Sequence, residues 1–140
     1  MRKKLIIVLT AMLAMAGIAT PAHAAYTDCP KSYYCVWQYR NYTGKYFASE
    51  FSIANYATSS AVIRALENKG SSVYNNGTTM RIAAYVNADR TGNWFYLNNA
   101  KKPAGAAVRD PNLSNGAGYD GKNSHANFDN KLSRHQWVWY

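Results

Sequence analysis

The chain has 140 residues, with 16 Lys and Arg against 7 Asp and Glu, a net charge of +9, two cysteines and twelve tyrosines. That length leaves room for one hydrophobic core but not for two independent domains. So few acids disfavour paired-carboxylate hydrolysis, and no Gly-x-Ser-x-Gly, His-Glu-x-x-His or phosphate-binding glycine loop occurs, so enzymatic chemistry is not expected.

Arg2, Lys3 and Lys4 precede an apolar run from Leu5 to Ile18, and Ala22-His23-Ala24 then supplies small residues before a cut. The pattern predicts a secretory signal peptide over 1–24 and an extracellular single domain over 25–140. The run is too short for a retained span, so no membrane association is expected after cleavage. Without those three basic residues the net charge is +6. Basicity of that size suits a solvated surface; a cell-wall polymer is the alternative anionic partner, and nucleic acid is not expected.

Cys29 and Cys35 are expected to form a disulfide once exported. They lack the two-residue spacing of a redox pair and the further ligands of a thiolate metal site. Closing so short a loop stabilises by about 2 kcal/mol, a local staple. Strands are predicted over Val36 to Tyr39 and Lys45 to Phe51, then a short helical turn from Ala61 to Leu66 capped by Ser59 or Ser60. Further strands are predicted over Ser71 to Asn75 and Thr79 to Asn87, separated by the turn signal Asn75-Asn76-Gly77. Trp94 to Leu97 follows. The stretch from Asn98 to Asn127 is rich in Gly and Asn and reads as a long insertion. Gln136 to Tyr140 reads as a last strand pinned into the core by its aromatics. His125 and His135, near Asp120 and Asp129 in sequence, are read as scattered histidines in preference to a metal site.

Two phrases recur. Trp37 to Phe47 and Tyr85 to Phe95 share an aromatic start, a Thr-Gly at the same offset and a closing aromatic pair. Each is followed downstream by a second phrase, Glu67-Asn68-Lys69-Gly70-Ser71-Ser72 or Asp129-Asn130-Lys131-Leu132-Ser133-Arg134. Linked phrases repeating together indicate a duplicated supersecondary unit. In the first, Trp37 and Tyr42 with Gly44 two residues further allow a hairpin to fold back so that an aromatic face covers bare backbone at a positive φ.

These residues resemble Greek keys of the βγ-crystallin superfamily. More narrowly, the Cys29 to Trp37 opening, Ser71 to Asn76 and Asp129 to Ser133 resemble secreted actinobacterial proteins grouped with a metallopeptidase inhibitor. The resemblance implies an all-β, βγ-crystallin-like double Greek-key β-sandwich, with key one over about 29–77 and key two over about 78–140. Its motif residues would be Trp37, Tyr42, Gly44 and Ser72 in the first key, and Tyr85, Gly92 and Ser133 in the second. Arg90 replaces the second aromatic of the second copy, and its guanidinium is expected over a ring.

The resemblance further implies a secreted, monomeric inhibitor of an extracellular peptidase, a metallopeptidase first, that needs no cofactor. Within the insertion, Val108 and the Asn112-Leu113 bond are the candidate inhibitory loop, stiffened by Pro111. The alternative is a calcium-stabilised structural or cell-wall-binding module, antimicrobial in one version. Its candidate calcium ligands are Glu67, Asn68 and Ser71 with Asp129, Asn130 and Ser133, because calcium takes six to eight oxygens of the kinds these residues carry. Glu67 and Arg134 depart from the usual calcium phrase, and Arg134 would set a cation near the ion.

Overall fold

A computed structural model describes residues 25–103 and 107–140. The predicted signal segment, 1–24, lies outside the described residues. Among the described residues there are seven strands, β1 (Tyr34–Tyr39), β2 (Thr43–Ser49), β3 (Ser72–Asn75), β4 (Arg81–Tyr85), β5 (Trp94–Leu97), β6 (Arg109–Asp110) and β7 (Arg134–Val138), and one short α-helix, α1 (Ala61–Arg64), between β2 and β3. They form two antiparallel sheets, ordered β2-β1-β3-β6 and β5-β4-β7.

Each sheet borrows from the other half. The two-residue β6, from the second half, pairs with β3, while Ile53, from the first half, bridges His135 on β7. This exchange ties the halves together at both edges. Period-2 alternation on β1 sends Tyr34 and Val36 inward, where with Phe47 and Val73 they meet Ile82, Ala84, Phe95 and Leu97 of the other sheet. The alternate residues, Cys35 and Trp37, face outward yet are also buried, under a second cluster with Cys29, Tyr42 and Tyr74. The Cys29–Cys35 disulfide, its Cα atoms 5.9 Å apart, is part of that outer cover.

Gly44, at φ +78°, has the edge of the Tyr39 ring where a side chain would be. The covering aromatic is therefore Tyr39; Tyr42 packs edge-on against Trp37 instead, with centroids 5.3 Å apart. Gly92 repeats the conformation at φ +77°, but its cover is Val86 and Asn87. Arg90 is exposed at φ +69°. Among the described residues the cations over rings are Arg81, Lys102 and Arg109, which corrects the expected Arg90 contact.

The predicted last strand is also corrected. β7 ends at Val138, and Trp139 (72%) and Tyr140 (53%) are largely exposed. Of the predicted aromatics Trp137 does pack against the core, and with it His135, which is completely buried, anchors the strand.

Candidate functional site

Where the two repeated phrases cross, the backbone is pseudo-symmetric. Asn68 (φ 53°) and Asn130 (φ 57°) both adopt the left-handed conformation, and each donates its amide across the crossing. Asn68 N–H reaches the Leu132 carbonyl (3.2 Å) and Asn130 N–H the Gly70 carbonyl (2.9 Å). Asparagine tolerates this conformation better than other non-glycine residues, which is why it stands at both places.

On one side the Ser133 hydroxyl lies 2.8 Å from Glu67 Oε1 and 3.1 Å from Asn68 Oδ1. On the other, Asp129 Oδ2 sits 3.9 Å from the Arg40 guanidinium. Glu67 Oε2 and Asp129 Oδ1 are both buried without a hydrogen-bond partner. A buried carboxylate oxygen without a partner is costly. Two of them at equivalent positions match what a cation would satisfy, and the amide and hydroxyl oxygens beside Glu67 are of the type calcium takes. The residues present therefore fit a calcium ion.

The strand register reassigns one motif residue. Trp37 pairs with Ser72 and Tyr85 with Arg134, so Arg134, and not Ser133, occupies the place of Ser72. In the first half Tyr42 N–H donates to Ser72 Oγ (3.0 Å), and that hydroxyl donates to the Tyr39 carbonyl (2.7 Å). In the second, the Arg134 guanidinium reaches across and donates to the Ala88 carbonyl (2.9 Å). A long cationic side chain thus does for one hairpin what a hydroxyl does for the other. Counting from the left-handed asparagines gives the same alignment: Ser71-Ser72 lies over Ser133-Arg134.

The insertion is held more firmly than its composition suggests. Leu113 is 0% exposed in the main core, its N–H donating to the Ser71 carbonyl (3.0 Å). Val108 packs on the outer cluster, and its carbonyl accepts from Asn75 N–H (2.9 Å). Asn112 is partly buried, and its side-chain oxygen accepts from the Ser114 amide (3.2 Å) and hydroxyl (2.8 Å). A bait side chain must be free to enter an enzyme, so in this conformation Leu113 is a core anchor and Val108 is a second one. Residues between Arg109 and His125 wall an open concavity of about 580 Å³, lined by Asp110, Asn115, Tyr119 and His125 among others. Asp110 lies partly buried there, and that burial raises its pKa.

His135 is the functional-looking residue least visible in the sequence. Its Nε2 lies 2.8 Å from the Phe51 carbonyl and its Nδ1 2.9 Å from the Tyr56 hydroxyl. A carbonyl only accepts, so Nε2 carries the proton and Nδ1 accepts from Tyr56. Both nitrogens are engaged, leaving none to ligate a metal. His125, in contrast, is exposed.

The architecture is that of the βγ-crystallin domain. A structure solved in work on the evolution of the eye-lens βγ-crystallin domain fold is similar at TM-score 0.57 and 13% identity, covering 80% of this chain and 91% of that one. A βγ-crystallin from Ciona intestinalis is similar at TM-score 0.53 and 13% identity, covering 76% and 99%. The particular family comes from sequence: residues 22–97, more than half of the chain, match peptidase inhibitor family I36, and the chain belongs to it. Membership makes this a non-enzymatic protein whose partner is a peptidase. No curated protein matches the chain.

Proposed function

We propose that the protein is secreted and inhibits extracellular peptidases, metallopeptidases first, by presenting a rigid surface to the enzyme's cleft. The observation that carries the reading is the family I36 match over 22–97. The fold supplies what inhibition needs physically. A loop pre-set by its frame loses little conformational entropy on binding and is a poor substrate, and here exchanged strands, a disulfide and buried side-chain hydrogen bonds brace the connections. The leading target is a thermolysin-like enzyme, the class to which the resemblance of the Cys29 to Trp37, Ser71 to Asn76 and Asp129 to Ser133 phrases points. Inhibition constants against a thermolysin-like metallopeptidase and a subtilisin-like serine peptidase test this. The reading expects nanomolar or tighter inhibition of the first and at least about a hundredfold weaker inhibition of the second, about 2.7 kcal/mol. The reverse order would move the target class, and no inhibition of either would remove the function.

The two buried carboxylate oxygens without partners favour a second, compatible property: calcium held at the crossing by Glu67, Asn68 and Ser133, and more weakly by Asp129, Asn130 and Ser71 beside Arg40. The ion would neutralise carboxylates that each have one oxygen, Glu67 Oε2 and Asp129 Oδ1, without a donor, and so stabilise the contact between the halves. At a hundredfold excess over Kd, a ligand specific to the folded state adds about 2.7 kcal/mol, or roughly 10 °C in Tm for a domain of this size. Melting in millimolar calcium and in chelator should therefore differ, and Glu67→Gln should abolish most of the difference. Identical melting curves in the two media would rule the site out.

A further inference from the structure

We propose that Phe51, at the tip of the Glu50–Ile53 bend, is the apolar anchor that enters the target peptidase's specificity pocket; this rests on the inhibitor reading above. Phe51 is 68% exposed, an unusual position for a large ring. Its backbone, unlike its side chain, is fixed. The Ser49 hydroxyl donates to the Phe51 carbonyl (2.8 Å) and accepts from the Phe51 N–H (3.3 Å). Buried His135 donates to the same carbonyl from the core side (2.8 Å). One residue on, the Ser52 hydroxyl accepts from Trp137 N–H (2.9 Å), and Ile53 exchanges both backbone bonds with His135 (3.0 and 3.2 Å). An exposed aromatic on a tethered bend is the combination a cleft-binding inhibitor requires: the side chain supplies buried apolar area, and the frame has already met the cost of ordering.

The other exposed large apolar side chains lack that combination: Trp139 follows Val138, the last residue of β7, and is not on a bend tethered like that of Phe51. The Tyr39 ring covers Gly44. Tyr140 is engaged by Asn99 N–H (3.0 Å) and by Lys102, 3.9 Å above its ring. Val62 lies within α1, on a helical turn and not on a hydrogen-bonded bend. Phe51 also lies inside the segment that matches the inhibitor family, whereas Val108 and Leu113 lie beyond it.

The test uses whichever enzyme of the two above the wild-type protein inhibits. Phe51→Ala should raise the inhibition constant by about 100-fold or more, as removal of a central aromatic anchor does, with Tm unchanged because the ring is not part of the core. Phe51→Leu should restore inhibition to within about tenfold, since an apolar pocket accepts either side chain. Val62→Ala and Trp139→Ala, equally exposed controls, should leave inhibition as it is. If Phe51→Ala inhibits like the wild type, or if Val62→Ala or Trp139→Ala carries the loss instead, the anchor is elsewhere and only this inference falls. If the wild-type protein inhibits neither enzyme, the inhibitor reading falls and this inference with it.

Discussion

Acidifying the protein from pH 7 to pH 4 is expected to cost roughly 3 kcal/mol of folding stability through His135 alone. The imidazole is packed against the rings of Tyr34 and Phe47, with centroids 4.7 and 6.2 Å away, and both nitrogens are hydrogen-bonded as a neutral ring. Burial holds its folded pKa down to about 3, and the neighbouring positive charge of Arg134 pushes the same way, against the Phe51 carbonyl. In the unfolded chain the ring has its ordinary pKa of about 6.5. Between those values the unfolded state takes up a proton that the folded state refuses. Stability is therefore fully present above about pH 6.5 and falls by about 1.4 kcal/mol per pH unit as pH drops toward 3. Urea unfolding at pH 7 and pH 4 checks this. His135→Gln, which keeps a donor for the Phe51 carbonyl, should be less stable at pH 7 but lose about 3 kcal/mol less on acidification. Equal losses in the two proteins would mean that the ring titrates normally.

The second large effect is expected at Gly118. Its φ is +57°, and a side chain there would run into the Tyr96 carbonyl, with the Phe95 ring 2.7 Å from the added carbon. Residue Tyr119 exchanges both backbone hydrogen bonds with Tyr96 (2.9 and 3.1 Å), so the obstacle is backbone that is itself tied to β5. Gly118→Val should cost more than about 3 kcal/mol by combining strain with overpacking. Gly44→Val is expected to cost less, about 1 to 2 kcal/mol, because its obstacle is the half-exposed Tyr39 ring, which can swing aside. Thermal unfolding of the two variants ranks them. A Gly118→Val protein within about 1 kcal/mol of wild type would show that the insertion does not dock on β5.

These two sites mark where the sequence was readable and where it was not. The duplicated Trp37 to Phe47 and Tyr85 to Phe95 phrases announced two hairpins, and Trp94 to Leu97 was legible to the residue, because local patterning decides such elements. Asn75-Asn76-Gly77 was legible as a turn, with Gly77 N–H bonded to Asn75 Oδ1 (2.9 Å), but it carries the chain from one sheet to the other and does not close a hairpin. The exchanged edges were invisible. Ile53 makes a single bridge and β6 has two residues, too short to show any period. The state of His135 depends on Phe51 and Tyr56, 84 and 79 residues away, and no local pattern reports contacts at that range. The candidate calcium residues were legible as a list, but their cross-pairing, Ser133 with Glu67 and Asn68, comes only from the fold.

Membership of family I36 makes a peptidase the partner of this scaffold, and the proposed inhibition would leave the inhibitor chain uncut. The most direct measurement mixes the purified protein with a thermolysin-like metallopeptidase at increasing ratios and follows residual activity alongside the mass of the inhibitor chain. The account predicts activity falling linearly to zero at one inhibitor per enzyme, with the chain still intact after prolonged incubation. Full activity at equimolar protein, or inhibition that fades as the chain is cut, would contradict it.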